Sequence, residues 1–246
     1  MYIIYIPKYK GDDPEYLIGK VLEKYISLEQ SIDRILFVPG YMNVTEWTTK
    51  NFCNKIMDMF RKKLGQQGKM RDEGKRNAKE NIEIGIFQGM NGNGKIRGTN
   101  IQCKEIHEKF FEKEGAEILK VKCKKTIDHR KMLFLIENIK PYYVKELSKD
   151  NCDEFMSSIS VKEILIGSSN QNFTTYYGNK KAEKGEADIL LFWGDEKKED
   201  MIISNFSQDE SLFKRIIIAK KVNKLNDEEF LNSLLKDYLN NNLVFL

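Results

Sequence analysis

Thr126-Ile-Asp-His-Arg-Lys-Met-Leu-Phe-Leu-Ile136 is the stretch on which the reading of this chain turns. Its Ile, Leu and Phe content favours a strand, and successive side chains of a strand alternate between two faces. His129 and Lys131 therefore point the same way. A second stretch, Glu163-Ile-Leu-Ile-Gly-Ser-Ser-Asn170, is a short continuous apolar run that closes in polar residues, as a buried central strand does. Ser168 and Asn170 share a face there, and Ser169 turns away from it. Glu186 stands at the entrance to a third apolar run, Ala187-Asp-Ile-Leu-Leu-Phe-Trp193, in which Asp188 shares its face. The chain has only two histidines, so one of them two residues from a lysine and upstream of Gly-Ser-x-Asn is more than composition.

Outward from these motifs, the chain opens with a strand at Tyr2 to Ile6, a helix from Pro14 to about Ser27, and a strand at Ile32 to Val38 closed by Pro39-Gly40. Thr45 to Leu64 reads as a long helix whose Trp47, Ile56, Phe60 and Leu64 form a core-packing stripe. Ile82 to Phe87 alternates like a strand. The following Gly89-Met-Asn-Gly-Asn-Gly94 is a flexible turn that lacks the terminal Gly-Lys-Ser/Thr of a phosphate-binding loop. A helix from about Asn100 to Lys113 carries His107, and a strand at Glu117 to Cys123 leads by a tight turn into the motif strand, Ile127 to Glu137. A short helix is expected around Asp150 to Ser157. Asn226 to Tyr238, extending to about residue 240, reads as a capped amphipathic helix with Phe230, Leu231, Leu234, Leu235 and Tyr238 on its apolar face. Strands interleaved with helices, with continuous apolar strands in the middle, predict an α/β sandwich around a mixed, largely parallel central sheet flanked by helices. No internal repeat is evident, and residues 1–246 are read as one domain.

At 32% charged and 41% hydrophobic, the composition is that of a folded globular chain with a substantial core. The four cysteines, Cys53, Cys103, Cys123 and Cys152, are widely spaced without a Cys-x-x-Cys pair, so neither a disulfide framework nor a zinc site is indicated. Reduced thiols and a cytoplasmic protein are expected. The apolar Met1-Tyr-Ile-Ile-Tyr-Ile6 is too short for a signal peptide or a membrane span. A net charge of +4 identifies no polyanionic partner by itself, but the distribution is uneven. One cluster runs from Arg61 to Lys79. Lys122, Lys124 and Lys125 precede His129, and Lys180, Lys181 and Lys184 follow Asn170. Lysines in loops are ordinarily just solvated; two clusters flanking the motifs are candidates for holding a phosphate backbone.

His-x-Lys, a spacer, Gly-Ser-x-Asn and a downstream Glu together resemble the signature of the phospholipase D superfamily. The likeness is closest to members with a single copy of the motif, the small bacterial nucleases and the metal-independent restriction endonucleases, which build one site across a homodimer. One position departs: Ile136 stands where the family carries an Asp, with Glu137 one place later. The resemblance implies an α/β sandwich and a metal-independent, cofactor-free phosphodiesterase with catalytic residues His129, Lys131, Ser168, Asn170 and Glu186. His129 is the nucleophile that forms a phosphohistidine, and its copy in the second subunit is the proton donor. Lys131, Asn170 and Ser168 hold phosphoryl oxygens, Gly167 admits the substrate, and Glu186 orients His129, with Asp188 an alternative. Lys122, Lys124, Lys125, Lys180 and Lys181 bind substrate. His107, among charged neighbours, is read as a surface residue, its service as the second histidine remaining testable. The expected substrate is nucleic acid, DNA ahead of RNA, in a setting of restriction or phage defence. A phospholipid-processing enzyme and a nucleic-acid-binding protein that does not cut are the alternatives.

Overall fold

In the computed structural model, residues 1–8, 17–28, 31–39, 54–60, 82–87, 116–123, 130–140, 146–167, 186–193, 196–220 and 226–245 are described. The strands are β1 (Tyr2–Lys8), β2 (Arg34–Val38), β3 (Glu83–Ile86), β4 (Glu117–Val121), β5 (Lys131–Asn138), β6 (Glu146–Leu147), β7 (Ile159–Gly167), β8 (Glu186–Phe192) and β9 (Ile217–Lys220). The helices are α1 (Leu17–Leu28), α2 (residues 54–60), α3 (Cys152–Ser157), α4 (Glu196–Ser207), α5 (Glu210–Phe213) and α6 (Asp227–Asn242). The strands form one nine-stranded sheet in the order β6-β4-β3-β2-β5-β7-β8-β1-β9.

The sheet is mixed, and its parallel part is confined to β2, β3, β4 and β6. From β2 through β5, β7, β8 and β1 to β9 every pairing is antiparallel. The tight turn expected between β4 and β5 does not fit this order, because β3 and β2 lie between them. At about 4.8 Å per strand, β4 and β5 stand roughly 14 Å apart across the sheet.

Alternation along the strands divides the core into two layers, one on each side of the sheet. On the first face, Leu133, Leu135, Leu165, Leu190, Ile4 and Ile6 pack under Val21, Leu22 and Tyr25 of α1, Ile56 and Phe60 of α2, and Ile202 and Phe206 of α4. On the second face, Met132, Phe134, Ile136, Val161 and Ile164 pack under Phe155 of α3 and Leu231, Leu235, Tyr238 and Leu239 of α6. The i, i+4, i+7, i+8 spacing of the last four makes one helical stripe. Helix α6 is capped as expected: the Asn226 side chain accepts from the Glu229 N–H at 3.4 Å, and Asp227, Glu228 and Glu229 put negative charge at the positive end of the helix dipole. Phe230, expected on the apolar stripe, is 40% exposed. Of the α2 stripe, Ile56 and Phe60 are buried as expected, and Trp47 and Leu64 lie outside the described residues.

A β-bulge interrupts β5–β7, where Leu135 faces Glu163 but Ile136 faces Val161, leaving Lys162 as the extra residue. The backbone groups it takes out of the ladder are met by side chains. Val161 N–H donates to Asn232 Oδ1 at 2.8 Å, and Val161 C=O accepts from Trp193 Nε1 at 2.6 Å. Lys162 itself pairs with Glu137 at 2.6 Å and lies over the Trp193 ring, 4.5 Å from its centroid. Asn232→Ala removes the acceptor for a buried N–H and is expected to destabilise the fold by about 1–3 kcal/mol, read as a lower urea midpoint with an unchanged slope.

Candidate functional site

The antiparallel centre of the sheet turns three distant segments into neighbours. β5 begins where β7 ends, and β8 begins on the other side of β7. In the register, Lys131 stands opposite Gly167, Gly167 opposite Asp188, and Asp188 opposite Ile6, a single row across four strands. Directly opposed residues of antiparallel strands project from the same face. Lys131 follows the parity of Leu133 and Leu135, and Asp188 that of Leu190, so the row belongs to the first face. Lys131 is half-buried and Asp188 is 2% exposed. The next row outward pairs Glu186 with Lys8.

Gly167 is required by this packing. A Cβ there would meet the Asp188 carboxylate and come within 2.6 Å of the Ala187 carbonyl oxygen, because the Asp188 side chain lies across the Gly167 backbone. Gly167→Ala is expected to cost about 1–3 kcal/mol through overpacking, and part of that cost is expected to disappear in an Asp188→Ala background. Urea denaturation of the two single variants and the double variant checks this.

Arg130 points the other way. Its guanidinium sits over the Tyr238 ring of α6 at 4.7 Å from the centroid, so α6 grips the residue before Lys131 while Lys131 faces the opposite layer. Ile136, where the family places an acid, is fully buried among the second-face residues. The acid one place later, Glu137, is engaged by Lys162 about 20 Å along β5 from Lys131 at 3.3 Å per residue. Neither stands at the Lys131 end of the strand.

Of the other expected site residues, Lys122 is exposed at the end of β4, its N–H donating to Leu147 C=O at 2.8 Å and its C=O accepting from Val244 N–H at 3.0 Å. It lies on the far side of β3 and β2 from Lys131. His129, Ser168, Asn170, Lys124, Lys125, Lys180, Lys181 and His107 lie outside the described residues; for Glu186 the backbone alone is described. Lys8, not singled out from the sequence, comes opposite Glu186, one row outward, only through the β1–β8 pairing, for which no local signal exists. Cys152 belongs to the opposite layer, where burial pushes its thiol pKa up, and is structural. Among the described residues no helix is long and apolar enough to cross a membrane, and no cluster of His, Cys, Asp and Glu could hold a metal ion.

No family model and no curated protein matches the chain. The solved structures to which it is similar include a phospholipase D family member. That structure is Nuc from Salmonella typhimurium, 12% identical over 89% of this chain and 99% of that one, with a TM-score of 0.34. Another is phosphatidylserine synthase from Haemophilus influenzae, 10% identical over 97% of this chain and 45% of that one, with a TM-score of 0.37.

Proposed function

We propose that this chain is a metal-independent phosphodiesterase, a nuclease that cuts DNA ahead of RNA at a site shared by two copies of the chain. What supports this reading is the row Lys131, Gly167, Asp188, in which the last residue of His-x-Lys stands opposite the first of Gly-Ser-x-Asn and that glycine stands opposite the residue two places after Glu186. A split motif read as one site requires that convergence. The lysines flanking both halves of the motif favour a phosphate polymer as substrate.

Cleavage of a phosphodiester needs a nucleophile, a proton for the leaving oxygen and positive groups around the phosphoryl oxygens. In the proposed reaction His129 of one copy attacks phosphorus, forming a P–N bond as one P–O ester bond breaks. His129 of the second copy, protonated, gives its proton to the departing oxygen. That second imidazole then takes a proton from water, whose oxygen attacks phosphorus and breaks the P–N bond, returning the first imidazole. Lys131 faces the non-bridging oxygens as a point charge, with the Asn170 amide and the Ser168 hydroxyl donating hydrogen bonds beside it. Glu186 accepts the proton of the other His129 nitrogen and fixes the tautomer. Lys122, Lys124, Lys125, Lys180 and Lys181 hold flanking phosphates. The work is done in the cytoplasm, in restriction or defence against phage.

The deciding experiment is cleavage of plasmid, single-stranded DNA and RNA in excess chelator, with liposome co-sedimentation alongside. Cutting that persists with chelator is expected. Failure on all three nucleic acids, with pelleting on vesicles, turns the reading toward a phospholipid substrate; duplex binding without cutting leaves a binding protein.

A further inference from the structure

Tyr238 ties the second helical layer to the strand that carries the motif. Its ring is buried and set between two others, edge-on to Phe87 with centroids 4.9 Å apart and tilted against Phe134 at 6.2 Å. Leu231, Leu235 and Leu239 of the same helix face are buried in the same layer, so the ring has a fixed place. Over it lies the Arg130 guanidinium, 4.7 Å from the ring centroid, on a residue that is otherwise exposed. Arg130 stands one residue ahead of the sheet: the ladder of β5 with β7 starts at Lys131, and that with β2 at Met132. Pairing between strands therefore fixes Lys131, whereas the middle residue of His-x-Lys is met by a side chain of α6.

We propose that Tyr238 is the positioning residue for the His-x-Lys segment: its ring holds the Arg130 guanidinium on the α6 side of the sheet and so fixes the chain that presents His129 and Lys131 to the opposite side. This deepens the reading of His129 and Lys131 as catalytic residues and rests on it. In an extended chain neighbouring side chains point to opposite faces, so fixing one residue fixes the sense of the two beside it. Lys131 already has the ladder. The larger benefit falls on His129, whose imidazole has to arrive at phosphorus in one orientation. Arginine suits the task, since its planar guanidinium stacks on an aromatic face and keeps its outer edge in water. Tyr238 forms no bond to substrate, and its effect on turnover passes through Arg130.

The test is a double-mutant cycle with a readout that needs no turnover. Tyr238→Leu removes the ring and keeps an apolar side chain in the core. On a nucleic-acid substrate it is expected to lower kcat about fivefold with KM within about twofold, since the Arg130 charge remains. Tyr238→Phe keeps the ring and is expected to stay within about twofold of wild type on both. In an Arg130→Met background, Tyr238→Leu is expected to alter kcat by less than about twofold, whereas a loss caused only by looser packing of α6 persists there. Separately, the His129 ring resonances, told from those of His107 by their loss in His129→Ala, are expected to shift in Tyr238→Leu and to stay in place in Tyr238→Phe. Should Tyr238→Leu not fold, Tyr238→Met, whose flexible chain fills irregular gaps, carries the same measurements. Equal effects on kcat with and without Arg130, a loss in Tyr238→Phe as large as in Tyr238→Leu, or His129 resonances unmoved by loss of the ring overturn the proposal. The resonance measurement decides it even for a protein that cuts nothing, so the failure of the nuclease reading and of the Tyr238 role remain distinct results.

Discussion

His129→Ala is expected to abolish cleavage of every nucleic-acid substrate the wild type cuts in excess chelator, while thermal unfolding stays within a degree or two of wild type. The expected loss exceeds that of ordinary acid–base variants, about 10²–10⁴-fold, because one substitution removes both the nucleophile and, through the second copy, the proton donor. Neither step has a substitute in the proposed reaction: the imidazole forms the P–N bond, and its counterpart supplies the proton that the leaving oxygen needs. A mixed dimer with one wild-type and one His129→Ala subunit is therefore expected to be inactive as well, since it keeps the attacking group or the acid but never both. Differently tagged subunits, co-purified and assayed, measure this directly. A mixed dimer with half the wild-type activity means that each chain has a complete site of its own, and His107 then becomes the residue to replace.

The largest expected effect on stability comes from the buried pair beneath α3. Arg34, with no exposed surface, donates from Nε at 3.1 Å and Nη2 at 2.6 Å to the same Glu83 oxygen, and its guanidinium lies 4.9 Å from the centre of the Phe155 ring. The two strands that carry the pair, β2 and β3, are parallel neighbours. Glu83→Ala takes the carboxylate from a fully buried cation, and the expected cost is about 3–5 kcal/mol, a fall in Tm of about 6–20 °C. Replacing both partners, Arg34→Met with Glu83→Leu, removes the charge along with its need for a partner and is expected to be near neutral. Differential scanning calorimetry of the single and double variants separates the two cases. A small loss for Glu83→Ala alone means that other groups around Arg34 carry its charge.

What could be read from the sequence followed the range over which each interaction acts. Helix α6 was legible down to its cap, because an Asn followed by three acids and an apolar stripe is a local pattern. The hydrophobic cores of β5, β7 and β8 were legible as apolar runs, and the α/β layering followed from their alternation with helices. Strand order was not. Nothing in the stretch from Glu117 to Glu137 says that β4 pairs with β3 and β6 while β5 goes to the other side of β2, since both arrangements bury the same apolar residues. For the site, the sequence singled out Lys131 and Gly167 separately, and the register then brought the two into direct opposition. The place of Asp188 across Gly167 needed that register, and so did the nearness of Lys8. Ile136, an anomaly in the motif, has a plain physical place: it is core, on the layer opposite to Lys131.

The bulge at Lys162 divides β7 into two phases. Downstream of it the odd-numbered Leu165 packs in the first layer and the even-numbered Ile164 in the second; upstream, Ile159 and Val161, also odd, pack in the second. A rule of simple alternation carried through the whole strand assigns one half of it to the wrong side of the sheet. The same shift makes the strand modular. Its last residues, ending at Gly167, pair with both β5 and β8, whereas the first pair with β5 and meet α6 through Asn232, and one residue extra to the β5 ladder lets the two halves obey different neighbours. Anyone transplanting the Gly167 end of this strand into another sheet has either to carry Lys162 along or to cut downstream of it; a graft that keeps the early residues and drops the extra one turns Gly167 to the opposite face.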